Sequence, residues 1–253
     1  MASAISFFVA VKLYKRRSIA VTMNNRTDID WARVRHLLKL GLIAACMVLI
    51  ADMVIGWGTY NHEATELPAM WARFLLVSDE RLIISALLGL IGIPVECLCW
   101  FSVYRMIKPY SEKYAHIYRA GILGCLAFGG CGVHVPCCMA AYLLKRFYAN
   151  DTGTVYAEML EFLKWFLLPA TVIFLVFFFM AAIVQTAAFV KGYTPLPKWC
   201  FVFNILFGVI WIAVMRLLGD YAIVNALAAA WISVGNLWMM GGLLTATRRF
   251  IKR

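Results

Sequence analysis

Six long apolar runs, separated by short segments that carry most of the charge, leave this chain one kind of environment to fold in. A helix needs about 20 consecutive apolar residues to cross a hydrocarbon core about 30 Å thick. The runs Leu38 to Trp57, Leu82 to Tyr104, Ile117 to Leu144, Phe162 to Val190, Cys200 to Leu217 and Tyr221 to Thr245 meet or approach that length. The expected fold is an all-α, polytopic bundle of about six transmembrane helices. The fourth run is longer than the membrane needs, so it should tilt or protrude. Hydrophobic residues make up 64% of the chain, against about 45–50% in soluble domains, and the runs account for the excess.

Lysine and arginine set the orientation. With the N-terminus inside, segments 1–39, 105–119, 191–198 and 247–253 hold 18 of the 24 basic residues, and the opposite loops hold 6. That threefold bias follows the positive-inside rule and puts both termini in the cytoplasm. Three regions result: a basic cytoplasmic or interfacial segment 1–37, a six-helix membrane domain 38–246, and a basic tail 247–253. The stretch Ile5 to Val11 is short, and Lys12, Lys15, Arg16 and Arg17 follow it. It reads neither as a secretory signal nor as a span. Asp28 to Leu40 reads as a helix starting at the interface, capped by Asp28 or Asp30, with Trp31 at headgroup level and Arg33, Arg35 and Lys39 facing phosphates. Trp57, Trp71, Trp165 and Trp199 read as further interface anchors.

The net charge of +11 would suggest nucleic-acid binding in a soluble protein. Here the charge flanks apolar runs, which excludes that class. The longest loops, Thr59 to Arg81 and Lys145 to Glu161, are acid-rich and fall outside. Asn150-Asp151-Thr152 and Asn25-Arg26-Thr27 both match a glycosylation acceptor, on opposite sides, so the match carries no weight. The eight cysteines lie in apolar runs or at their edges. A secreted disulfide framework would place them in loops, so they read as free thiols filling space. No internal repeat emerges; the third and sixth runs share only an abundance of glycine.

Asp52, Glu96 and His134 fall near mid-span, where a charge costs about 2.5–3.5 kcal/mol on insertion scales. Such residues face the bundle interior. The surrounding backbone is irregular as well. Gly129, Gly130, Gly132 and Pro136 surround His134, and Gly89, Gly92 and Pro94 precede Glu96. A kink or local unwinding follows from each proline, and broken helices at membrane depth are tolerated only against protein or a wet cavity. Cys131, Cys137 and Cys138 lie at i−3, i+3 and i+4 from His134 and should share its face. Asn236 is deep enough to line a cavity. The candidate ligand-binding set is therefore Asp52, Glu96, His134 and Asn236.

Carboxylate, imidazole and thiolate are also zinc-type ligands, which gives His134, Glu96, Cys131 and Cys138 as a candidate metal set. Their spacing matches no metal motif, and a metal ion is the one cofactor the residues suggest. For each residue a structural reading stands beside the functional one. His134 can hydrogen-bond Asp52, Glu96 or a carbonyl freed by Pro136. Glu96 can be a neutral hydrogen-bond donor. Gly121, Gly124, Gly241 and Gly242 read as close-packing positions. Gln185, Asn225 and Asn236 read as interhelical hydrogen-bond donors.

The first span carries Ile50-Ala51-Asp52-Met53-Val54-Ile55-Gly56-Trp57-Gly58, and the third carries Gly132-Val133-His134 followed by Cys137-Cys138. With the length and the six runs, these resemble uncharacterised bacterial integral membrane proteins grouped as a domain of unknown function. The resemblance covers the chain from about Leu38 onward. It implies a six-helix fold in a bacterial inner membrane and no activity. Four histidines are too few for a histidine-rich membrane hydrolase. Three function classes stay open: a small-molecule or ion binding protein, with a transporter as one form of it; a membrane enzyme acting on a lipid or other apolar substrate with Glu96 or His134 as acid or base; and a structural or accessory subunit. Each has the lipid bilayer as its surroundings, and the oligomeric state is not encoded in any motif.

Overall fold

The computed structural model describes residues 29–61, 63, 64, 67, 69–148 and 152–250. Most of the expected basic N-terminal segment, the end of the tail, and both acceptor asparagines (Asn25 and Asn150) lie outside the described residues. Those residues are helical, with no strand among them. In chain order the helices are α1 (Trp31–Gly56), α2 (Ala69–Phe74), α3 (Asp79–Cys99), α4 (Phe101–Ile107), α5 (Glu112–Phe128), α6 (Val135–Tyr148), α7 (Thr152–Phe162), α8 (Leu168–Val190), α9 (Phe207–Leu217), α10 (Ala222–Ala229) and α11 (Trp231–Ala246). A π-helical turn, Gly129–His134, joins α5 to α6, and a second, Leu163–Leu167, joins α7 to α8.

Four continuous stretches are long and apolar enough to cross a membrane: Trp31–Gly56, Asp79–Ile107, Glu112–Tyr148 and Tyr156–Val190. They contain the first four expected spans. The fourth is over-long, as its sequence requires, at 35 residues. The last two expected spans are not continuous helices. Cys200 to Leu217 starts in a 3₁₀ turn, Lys198–Val202, and becomes α-helical only at Phe207. Asn204 is the local reason. Its side-chain oxygen accepts from Leu206 N at 2.9 Å, a short-range bond that competes with helix formation. Tyr221 to Thr245 is broken at Ala230, with α10 and α11 bent by 64°.

Helix α1 packs against α3, α4, α10 and α11, α5 lies on α8, and α9 sits against α10 and α11. Asp30 caps α1, accepting from Arg33 N at 2.9 Å. At the other end of α1, Arg81 Nε and Nη2 donate to Val54 O and Nη2 also to Trp57 O. That guanidinium satisfies carbonyls a helix terminus leaves open and ties the start of α3 to the end of α1. Outward positions carry large apolar side chains, such as Ile43, Ile91, Val176, Ile183 and Ile210. Such a surface would be an aggregation patch in water and is the solvated face in lipid.

Trp57, Trp165 and Trp199 are exposed, as anchors are. Trp71 is not an anchor. It is buried, edge-on to Phe74, in a cluster with Ala72, Leu82 and Leu144, because α2 folds back onto the bundle. Three of the four expected packing glycines behave as such. A methyl on Gly124 or Gly242 would meet Phe177 or Phe203 at 2.0 Å, and one on Gly121 would meet Ala181 at 2.8 Å. Gly241 has room, with only Leu42 at 3.8 Å. The tightest backbone approach joins α9 to α11, where a Cβ on Gly208 would lie 2.0 Å from Trp231 O and one on Gly235 2.3 Å from Ile205 O. Backbone cannot rotate away as a side chain can. Gly208→Ala and Gly235→Ala should each lower stability by about 1–3 kcal/mol or more, whereas Gly241→Ala should be near neutral. Unfolding midpoints in a denaturing detergent series test this; three equal midpoints would refute the crossing.

Candidate functional site

Two broken helices and one π turn meet at a single cavity of about 390 Å³. Its lining includes Asp52 of α1, Glu96 and Trp100 from the α3–α4 stretch, His134 of the π turn, and Ser233 and Asn236 of α11. All four expected ligand-binding residues therefore line one space. Which of them touch is decided by local backbone. Glycine-rich Gly129–His134 opens into i→i+5 bonding, with Val135 N bonded to Gly130 O. This is the local unwinding expected beside Pro136, and π turns often mark functional sites. It delivers the His134 ring onto α3 at Gly89, where an added Cβ would lie 2.1 Å from His134 Cδ2. Only glycine at 89 leaves room for the imidazole.

His134 is held at both nitrogens. Nε2 lies 3.0 Å from Ser85 O and 3.3 Å from Ser85 Oγ, and Nδ1 lies 3.5 Å from Asp52 Oδ1. Ser233 Oγ donates to Asp52 Oδ2 at 2.6 Å, and Cys138 Sγ donates to Ser85 Oγ at 3.6 Å. Donor accounting then fixes the proton inventory. A carbonyl only accepts, so Nε2 carries a hydrogen. The facing Nδ1 and carboxylate would both present lone pairs unless one proton lies between them. The Asp52–His134 pair therefore holds one proton, as imidazolium with carboxylate or as imidazole with carboxylic acid. Either form is neutral as a pair, and this is what lets it sit in the bundle.

Glu96 and Asn236 form the other part of the lining. Trp100 Nε1 donates to Asn236 Oδ1 at 3.0 Å. An indole only donates, so this contact fixes which way the amide points. Glu96 Oε1 and Asn236 Nδ2 are buried and make no hydrogen bond among the described residues. An unsatisfied buried polar group costs about 1–3 kcal/mol. The Glu96 carboxyl and the Asn236 amide face each other in the cavity without a hydrogen bond of normal geometry, a gap that a hydroxyl, amine or amide group is suited to bridge.

The candidate metal set is not brought together. Among the described residues no group of three or more His, Cys, Asp or Glu side chains is arranged to hold a metal ion. Cys131 is exposed, while Cys138 is buried against Ser85. The wider π turn explains this, because regular 3.6-residue spacing would have put Cys131 on the histidine's face. The described cysteines are free. Gln185 and Asn225 are interhelical or loop donors as expected, to Phe203 O at 2.8 Å and Gly58 O at 2.8 Å.

Sequence reasoning did not single out Ser85, Ser233 or Trp100, since serine and tryptophan are ordinary in apolar runs. It also counted Arg73 and Arg216 only as topology signals. Both line the cavity. Arg73 is 7% exposed, and its Nε has no hydrogen-bond partner among the described residues. Burial and the nearby Arg216 push its guanidinium below the usual arginine range.

A family model described as a family of unknown function (DUF6796) matches residues 23–249. The chain belongs to that family. A segment is also similar to the probable 4-amino-4-deoxy-L-arabinose-phosphoundecaprenol flippase subunit ArnF of Photorhabdus laumondii, at 29% identity over 75 residues. That segment is 29% of this chain, and the match spans 59% of the flippase subunit's length. No solved structure matches. Membership of the family agrees with the resemblance carried by the Asp52 and His134 segments, and the flippase subunit is likewise a membrane protein by its name.

The Asp52 contacts give a direct test of the network. Asp52→Ala strands Ser233 Oγ and His134 Nδ1 and should lose about 1–3 kcal/mol. Asp52→Asn keeps an acceptor for Ser233 and offers an N–H to a neutral imidazole, so it should stay within about 1 kcal/mol of wild type. Equal unfolding midpoints for Asp52→Ala and wild type would mean the pair does not hold.

Proposed function

We propose that the protein is a membrane transporter-type binding protein whose mid-membrane site takes a small polar or amphiphilic molecule, with six membrane crossings and both termini in the cytoplasm. The observation that carries this reading is the loosely paired Glu96 carboxyl and Asn236 amide, in a cavity of about 390 Å³ shared with a proton-holding Asp52–His134 pair. That volume is in the range of ligand pockets, about 300–1,000 Å³. Interrupted helices around a midplane site are a recurrent transporter arrangement. The proton pair would let occupancy of the site be coupled to proton binding or release.

The topology draws support from which loops touch. Asp220 accepts from Tyr60 N at 2.8 Å and from Asn225 Nδ2 at 2.5 Å, which joins the loop after α1 to the loop before α10. Asp79 is bridged by Lys145 at 2.8 Å and Arg146 at 2.6 Å, which joins the start of α3 to the end of α6. Lys191 donates to Tyr114 Oη at 2.5 Å at the opposite end. The first five of six alternating crossings would produce these groupings.

The likeness to a flippase subunit supports a transporter-type reading and a lipid-linked ligand. The word subunit in that protein's name favours a second reading, in which this chain works as part of a membrane complex.

Native mass spectrometry of detergent-extracted protein tests the site. Wild type should carry a co-purified adduct that Glu96→Gln and His134→Ala each reduce at least tenfold while their unfolding midpoints stay close to wild type. The same adduct level in all three proteins would sink the reading.

A further inference from the structure

We infer that the end of the cavity bordered by Arg73 and Arg216 is an oxyanion subsite, so that the ligand is an amphiphile whose phosphate or carboxylate sits between the two guanidinium groups and whose apolar part lies along the cavity. The inference deepens the binding reading above and rests on it.

The argument starts from charge. Arg73 and Arg216 line the cavity together and are close enough to repel each other electrostatically. Asp220 is the acid that acts on Arg73, and its two oxygens already accept from Tyr60 N and Asn225 Nδ2. Two cations thus face one carboxylate that is also bonded to neutral donors. This end of the cavity is left one positive charge in excess. Arg73 Nε makes no hydrogen bond among the described residues, and its guanidinium lies over the Phe74 ring at 5.8 Å.

A buried, unpaired guanidinium is expensive, because the desolvation of the charge is not repaid. Arg73 is nevertheless the buried one of the pair, at 7% exposure, with Nε open. Its stem is seated by the loop at Gly58, where an added Cβ would lie 3.2 Å from Arg73 Cγ. An oxyanion would satisfy both forks at once, since guanidinium and phosphate or carboxylate match in planar, two-pronged geometry.

The rest of the lining selects against a bare hydrated ion. Trp100, Phe174, Phe178, Trp231, Ile93 and Ile212 are among the apolar residues of the wall, which suits an apolar body next to the anionic group. The anion's source is either a membrane lipid or a water-soluble phosphate or carboxylate compound. The chemistry at the arginines is the same for both.

The test uses the full chain in a maltoside detergent, with calorimetric titration of dodecyl phosphate, dodecanol and inorganic phosphate. Dodecyl phosphate should bind wild type at least tenfold tighter than dodecanol. Arg216→Gln, at an exposed position, should remove that preference with its unfolding midpoint retained, and Arg73→Gln should do the same if its own midpoint is retained. Displacement of dodecyl phosphate by inorganic phosphate would support the subsite and assign it to soluble compounds, and failure of displacement would support it and assign it to lipids. Equal binding of dodecyl phosphate and dodecanol to wild type, or unchanged preference in Arg216→Gln, would overturn it. Glu96→Gln is titrated in parallel. Loss of binding there with no effect of Arg216→Gln would remove the anion subsite and leave the polar-site reading standing.

Discussion

A membrane interior offers no water to a backbone that leaves the helix, so each break in this bundle has to be closed by a side chain from elsewhere. The bend between α10 and α11 leaves Leu227 O without its usual partner, and Trp211 Nε1 donates to it at 3.0 Å. The irregular stretch before α9 frees Val202 O and Phe203 O, which accept from Trp238 Nε1 and Gln185 Nε2, both at 2.8 Å. Asn204 Nδ2 reaches Ala182 O on α8 at 3.0 Å. Two of the buried polar side chains, Gln185 and Asn204, are committed to this repair. Glu96 and Asn236 line the cavity and serve no break.

The same constraint explains why the breaks converge. A π turn or a bend moves carbonyls and side chains off the regular helical register, and the displaced groups need partners nearby. His134 leaves the face that α-helical spacing assigns it and finds Ser85 O and Asp52 instead. Ser233, three residues past the α10–α11 bend, reaches Asp52 from the other side. Asp52 on the unbroken α1 is thus the fixed point between two distorted elements. Gly89 is the steric condition for this arrangement, since any side chain there would collide with the imidazole.

Much of this was legible in the sequence. Apolar run length gave the helical class and four of the spans, because hydrophobic length is a direct consequence of bilayer thickness. Mid-span position singled out Asp52, Glu96 and His134 as interior residues that could meet, because lipid disfavours them, while helix rotation, which brings them to one cavity, was not legible. What was not legible depended on local geometry. Periodicity assumes 3.6 residues per turn, so the π turn put Cys131 on the wrong face and made a metal set that the fold does not assemble. The last two runs read as spans by composition, yet Asn204 and the Ala230 break shorten and bend them. Trp71 was misjudged as an anchor, since nothing in its neighbourhood announces that α2 packs inward. Arg73 and Arg216 lie near the ends of α2 and α9, where their sequence signal is orientation alone.

The distribution of charge around the cavity narrows what kind of solute it suits. A cavity walled by apolar side chains focuses the field of the few charges that line it. Here the excess positive charge lies at the Arg73 and Arg216 end, with Arg216 itself exposed. The acids lie in the membrane-spanning helices, and one of them is neutralised against His134. A site built for a metal or other small cation would reverse this layout, with acids at the exposed end to draw the cation in. The observed layout favours an anion over a cation at the Arg73 and Arg216 end, with Glu96 and Asn236 beside a proton-holding pair elsewhere in the lining. Under the proposed anion subsite, an anionic molecule with a hydroxyl- or amine-type group would complement both the Arg73 and Arg216 end and the Glu96 and Asn236 lining.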